Sequence, residues 1–142
     1  MIKKDYILRI IEEIAKFIAI LLGLKKAEKY EEALEMVGMA IDEYFHLDPE
    51  YIRSLSSNDV AQKLMDEKNL NIKLFEPLAD LLHIEADIFM AMNQKENAKN
   101  GYQKAFHLLK FSEQTDRTFS AERLAKISEL EQKLKAVSKS EA

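Results

Sequence analysis

Two short stretches of the sequence, EYFH and DLLH, each place a carboxylate three residues before a histidine. The pairs are Glu43 with His46 and Asp80 with His83. On a helix, residues three apart lie on the same side, and carboxylate-bridged metal centres of helical bundles use this spacing. Such a centre also needs a carboxylate from each of two further helices. One alternative for function is therefore a small metal-dependent helical-bundle enzyme.

The first pair is poorly placed for that role. Glu43 and His46 lie on the side of their helical stretch away from Val37 and Ile41, so they are predicted to point outward. The ligands of a bundle metal centre must point inward. In a sequence with 32% charged residues, two such pairs are easily coincidental. We therefore predict no metal ligand and no cofactor.

A further group of residues is regularly spaced after Pro77. Asp80, His83, Asp87 and Met90 follow one another at intervals of three, four and three residues. This spacing places them on one ridge of a helix, beside its apolar core stripe. Polar ridges are also what any amphipathic helix presents to water, so the pattern alone does not separate a binding surface from a solvated face.

Helices are the elements that must position these residues. The chain of 142 residues contains only three glycines and two prolines, and so few breakers favour long helices over a sheet. The apolar fraction of 47% is typical of a globular protein. We predict one all-α domain over residues 1–137 and a frayed tail over residues 138–142.

Composition and motifs argue against several functions. The net charge is −4 with no basic run, so nucleic-acid binding has no electrostatic support. The uninterrupted apolar run at residues 17–22 is far shorter than the roughly 20 residues that span a bilayer. No phosphate-binding glycine loop, HExxH motif or nucleophile elbow occurs, so we predict no enzyme. The lack of cysteine fits a reducing compartment, and we predict a cytoplasmic protein.

The first helix has an unusual distribution of apolar residues. Ile7, Ile10 and Ile14 begin a broad apolar face, and charged residues lie opposite as far as Lys16. Beyond Lys16 the polar side disappears. The pattern therefore predicts that the second half of this helix is covered on most of its sides.

One spacing of small and large residues occurs twice, 65 residues apart. The two copies are Ala33–Val37–Ala40 and Ala98–Tyr102–Ala105. Each copy follows a polar turn and a strongly apolar helix, so each predicts a helical hairpin. An alanine that faces a neighbouring helix lets two backbones approach closely, and such hairpins bury their faces by stacking.

The stretch ADIFMAMNQKENAKNGYQKAFHLL resembles a tetratricopeptide repeat. Ala86 and Phe89 take the small and aromatic positions of its first helix. Ala98, Tyr102 and Ala105 take the small, aromatic and small positions of its second helix. YEEALEMVGMAIDEYFHLDP is similar to a second helix of the same repeat. The whole chain also resembles a family of uncharacterised bacterial proteins of tetratricopeptide-like fold, through DYILRIIEEIAKFIAILLGLKK, YEEAL and SLSSNDV.

The resemblance implies stacked antiparallel hairpins with a C-terminal capping helix. It also implies that the ridge of Asp80, His83, Asp87 and Met90 lines a concave groove, which would be acidic and suited to a basic or amide-rich peptide. The predicted function is therefore a bacterial protein-interaction or scaffold module. In this repeat Glu85 stands where a large aliphatic residue is expected, so it needs a cationic partner or a solvated head group.

A third alternative is a homodimeric structural protein. Met36 and Met39 lie on the outer side of the second helix, away from its alanines. Adaptable methionines at such positions either pack against the irregular segment 49–76 or mark a self-association surface.

Overall fold

The structure is a computed structural model that describes the backbone of residues 2–141 and the side chains of residues 5–139. Within that range all regular structure is helical, which confirms the predicted all-α class. The helices are α1 (Ile2–Lys26), α2 (Tyr30–Phe45), α3 (Pro49–Ser54), α4 (Val60–Lys68), α5 (Phe75–Ala91), α6 (Lys95–Thr115) and α7 (Ala121–Glu141). A 3₁₀ turn at Ile72–Leu74 leads into α5.

The chain divides into two compact units after Leu55. The first unit holds α1, α2 and α3, and the second holds α4 to α7. The sequence predicts a single domain over residues 1–137, and the division falls within the polar stretch SLSSND, where the apolar periodicity is interrupted.

In the first unit, α1 packs on α2 along one stripe of apolar residues, which we call the inner stripe. Its members are Ile7, Ile10, Ile14, Phe17 and Leu21, and all but the half-buried Phe17 are buried. The Phe17 ring meets Tyr44 edge-on, with 6.1 Å between ring centroids. On α2, the small–large–small residues are fully enclosed, as the helical-hairpin prediction requires.

In the second unit, α5 and α6 form a closely packed hairpin. Asn93 closes the turn between them with a φ of 62°. Ala98, Tyr102 and Ala105 are buried, and a Cβ built at Gly101 would lie 3.0 Å from the Cβ of Ala86. The small residues therefore do what their spacing predicts, which is to let two helix backbones approach. Stacking of hairpins in the tetratricopeptide manner stays a prediction.

The last two helices, α6 and α7, have 21 residues each. α6 continues to Thr115, and Phe111 near its end packs on Phe75 with 5.6 Å between ring centroids. The Ser120 hydroxyl accepts a hydrogen bond from the Arg123 amide and so caps α7. The backbone of α7 is helical through Glu141, and the frayed tail over residues 138–142 stays a prediction.

Replacing Gly101 by valine tests the close approach of α5 and α6. We expect Gly101→Val to lower the free energy of unfolding by about 2–3 kcal/mol, because the added carbons meet Ala86 and the Leu82 carbonyl on the facing backbone. Gly23, inside α1, has open space around it and provides the matched control. Gly23→Val is expected to change stability by no more than about 0.5 kcal/mol. Equal losses in urea unfolding would contradict this interpretation.

Candidate functional site

The acidic ridge of α5 lies beside the C-terminal helix of the same unit. Helix α7 packs along α6 through buried residues that include Ile127, Leu130 and Val137. From this position two lysines, Lys126 and Lys133, reach across to α5. They are seven residues apart, so they extend from the same side of α7 two turns from each other. Each lysine meets a separate cluster of carboxylates.

The first cluster is centred on Lys126. Its ammonium lies 2.8 Å from Oε2 of Glu76 and 3.1 Å from Oδ2 of Asp80. Burial would lower the pKa of Lys126, but the hydrogen bonds and charges of these two carboxylates raise it above the ordinary value. Burial raises the pKa of Asp80, and Lys126, which is shared with Glu76, does not fully offset that effect. Lys126 therefore compensates the buried charge of Asp80 only in part, because Glu76 shares the same ammonium group.

The second cluster joins all three helices. Lys133 donates to both carboxylate oxygens of Asp87, at 3.0 and 3.1 Å, and lies 2.8 Å from Nε2 of His83. The Tyr102 hydroxyl of α6 donates to Oδ1 of Asp87 at 2.6 Å. Because an ammonium group can only donate, Nε2 of His83 accepts from Lys133. The His83 ring also meets the Tyr102 ring edge-on, 5.8 Å between centroids.

The charge states of the second cluster are those of a structural contact. Burial alone would raise the pKa of Asp87, but the bonds from Tyr102 and Lys133 bring it below its ordinary value. Burial and the neighbouring Asp87 raise the pKa of Tyr102 well above its ordinary value of 10.0. A tyrosine that serves as a base needs the opposite shift. The arrangement therefore keeps Asp87 ionised and Tyr102 protonated, and so secures α7.

A third cation fixes the connection between α6 and α7. Arg123 is buried, and its Nε donates to Glu113 at 2.7 Å. Its other nitrogens donate to Asp116 at 3.2 Å and to the Thr118 carbonyl at 3.1 Å. These bonds raise the pKa of Arg123 even though burial acts to lower it. The planar guanidinium thus serves one carboxylate on α6 and two groups of the loop at once.

The structure brings three of the four predicted ridge residues into contact with α7. Asp80, His83 and Asp87 all meet its lysines, and Met90 is half-buried further along α5. The predicted chemistry of the ridge, an acidic face that receives cations, is used here within the chain. Binding of a separate partner to the ridge stays a prediction, and such a partner would have to replace Lys133.

The two carboxylate–histidine pairs lie in different units. Glu43 and His46 are exposed and belong to the first unit, whereas Asp80 and His83 belong to the second. Among the side chains of residues 5–139, no group of three potential ligands could hold a metal ion. The metal-enzyme alternative stays a prediction.

Glu85 occupies the core of the α5–α6 hairpin. It is only 6% exposed, and on the facing helix Lys104 is 7% exposed. Both side chains take part in hydrogen-bonding or electrostatic interactions. The Oε2 atom of Glu85 is buried and makes no hydrogen bond, so the compensation inferred from the sequence is incomplete at that atom.

A surface that the sequence patterns did not single out lies on α1. We call it the outer stripe, and it consists of Leu8, Ile11, Ala15, Ile18 and Leu22. These residues are spaced 3, 4, 3 and 4, so they lie about 100° around α1 from the inner stripe. Leu8 is 47% and Leu22 44% exposed, Ala15 is exposed, and the two isoleucines are half-exposed. The sequence predicts that the second half of α1 is covered on most sides, but Ile20 and Leu22 are exposed.

The predicted self-association residues differ in exposure. Met39 is 65% exposed and Met36 is half-buried. The neighbours of Met39 one turn away on α2 include three exposed acidic residues, Glu35, Asp42 and Glu43. Packing of these methionines on segment 49–76 stays a prediction. Self-association through them also stays a prediction.

Comparison with known proteins found no match. No protein-family model matches the chain, and no curated protein or solved structure is significantly similar to it. Within the described residues, none of the helices has the length and apolar character needed to cross a membrane.

The opposite pKa shifts of two aspartates on α5 give a matched test of the α7 contact. We expect Asp87→Asn to lower the free energy of unfolding at pH 7 by about 2 kcal/mol, because it removes charged hydrogen bonds to Tyr102 and Lys133. We expect Asp80→Asn to change it by no more than about 0.5 kcal/mol, because Lys126 keeps Glu76 and a costly buried charge is lost.

Acid should reduce the difference in stability between the native chain and the Asp87→Asn variant. A lowered folded-state pKa stabilises the protein above the ordinary value of 3.8, and this contribution disappears as the pH falls through the folded-state value. Urea unfolding from pH 7 down to pH 3 measures it. If the variant is less stable than the native chain by the same free energy at pH 7 and at pH 3, the role given to Asp87 is contradicted.

The guanidinium of Arg123 should not be replaceable by an ammonium group. We expect Arg123→Lys to lower the free energy of unfolding by about 1 kcal/mol, because one ammonium cannot reach both carboxylates and the Thr118 carbonyl. Arg117 lies exposed in the same connection, so Arg117→Lys is the control and should be nearly neutral. Thermal unfolding of both variants distinguishes them, and equal midpoints would refute the expectation.

Proposed function

We propose that this protein is a protein-interaction module whose binding surface is the outer stripe of α1. The observation that carries the proposal is the line of apolar side chains from Leu8 to Leu22, in which Leu8, Ala15 and Leu22 are exposed and Ile11 and Ile18 are half-exposed. Single exposed apolar residues are normal on a protein surface, but aligned apolar residues are typical of a binding face. A stripe with residues three and four apart fits a helical partner in particular.

The spacing of the outer stripe supports a helix as the partner surface. Residues at alternating intervals of three and four keep one side of a helix facing a neighbouring helix. Ala15 lies in the middle of the stripe and Ala19 beside it, and their small side chains leave room for a second backbone. Leu8 and Leu22 at the two ends supply larger apolar contacts.

The acidic ridge of α5 is a less favourable binding surface than α1, because its residues already bind lysines of α7. Asp80 and Asp87 already receive lysines from α7, and that helix is anchored by buried residues such as Leu130. A partner on the ridge would have to break these contacts.

Site-specific photo-cross-linking in the native cells tests the proposed function. A photoreactive phenylalanine analogue is placed at position 15, on the outer stripe, or at position 20, which is 58% exposed on the same helix outside the stripe. We expect discrete protein adducts from position 15 and none above background from position 20. Equal labelling from the two positions would reject the outer stripe as a binding surface.

A further inference from the structure

The charges that border the outer stripe run from acidic to basic along α1. Asp5, Glu12, Ala19 and Lys26 follow at intervals of seven residues, so they form one row along the edge of the stripe. Asp5, Glu12 and Lys26 are all exposed. The two ends of this row are therefore oppositely charged.

This row is complementary to itself when two helices run in opposite directions. In an antiparallel pair centred near Ala15, Asp5 of one helix lies level with Lys26 of the other, and Leu8 lies level with Leu22. The small Ala15 faces its own copy at the centre. In a parallel pair related by a two-fold axis, this row would instead face the inner-stripe edge of the other helix, and Asp5 and Lys26 would not meet.

We infer that the partner on the outer stripe is a second copy of this chain, with the two α1 helices packed antiparallel. This inference rests on the proposed function. α1 has 25 residues and extends over about 37 Å, which is long enough to carry the whole stripe and both charged ends. The antiparallel arrangement also opposes the two helix dipoles.

The same features disfavour two other occupants. A helix that lies on a membrane surface usually carries lysine and arginine along its polar border. Here that border mixes the acidic Asp5 and Glu12 with the basic Lys26. A second copy joined through Met39 of α2 would bring acidic side chains together, because Glu35, Asp42 and Glu43 surround that residue.

The first experiment measures self-association of the purified full chain. We expect sedimentation velocity to show a monomer–dimer equilibrium between about 1 µM and about 200 µM, because a single helix pair forms a small interface. Ala15→Glu places two carboxylates against each other at the centre and should raise the dimer Kd by about 100-fold. Ile20→Glu adds the same charge outside the stripe and should leave the Kd unchanged.

The second experiment determines the direction of the pair. The chain has no cysteine, so single cysteines can be introduced without background. When Leu8→Cys and Leu22→Cys chains are mixed and oxidised, an antiparallel pair gives mainly the mixed disulfide. A parallel pair would give 8–8 and 22–22 disulfides and would overturn the inference.

Charge exchange provides an independent measurement. Asp5→Lys should weaken the dimer, because a lysine then faces Lys26 of the other copy. Adding Lys26→Asp in the same chain should restore the Kd. Circular dichroism confirms that the variants remain helical. A double variant as weak as the single one would contradict the antiparallel arrangement.

The outcome also separates this inference from the proposed function. A chain that stays monomeric at about 200 µM, or that binds lipid vesicles as a monomer, overturns pairing between copies. If position 15 then still cross-links to a different protein, the interaction module stands with another partner. If position 15 gives no specific adduct, the proposed function fails as well.

Discussion

Where Ala86 of α5 faces Gly101 of α6, the two helices lie so close that one added methyl carbon would come within 3.0 Å of its neighbour. This proximity sets the position of α6, and with it the position of Tyr102, whose hydroxyl reaches Asp87 on α5. α7 packs on α6 and reaches the same carboxylate through Lys133. The polar contacts of the second unit therefore depend on two of the smallest side chains in it.

Three cations of α7, the buried Arg123 and the partly buried Lys126 and Lys133, have more than one acceptor each. A lysine or arginine that leaves water needs its hydrogen bonds replaced, and a single carboxylate does not replace them all. Lys126, Lys133 and Arg123 each have at least two polar partners. Both lysines bind side chains of α5. These contacts therefore fix the rotation of α7 about its own axis and its position along the α5–α6 hairpin.

The sequence predicted the parts of the fold that depend on local periodicity. The spacing around Ala33 and Ala98 indicated helical hairpins, and those alanines are buried. The ridge of Asp80, His83 and Asp87 was also visible, because helical periodicity reveals which residues share a face. Its occupant was not visible, because Lys126 and Lys133 lie 46 residues from Asp80 and Asp87, and no local pattern shows which helix will cover a face. Likewise, the apolar residues in the second half of α1 indicated that another surface packs on this helix, but they did not show which surface.

The division of the chain after Leu55 has a consequence for valency. The outer stripe belongs wholly to the first unit, so a pair joined there would carry two copies of α4 to α7 on one assembly. A target with two matching sites would then bind the second copy at a high effective concentration, without any stronger individual contact. Weak recognition by one chain could in this way become firm attachment by two.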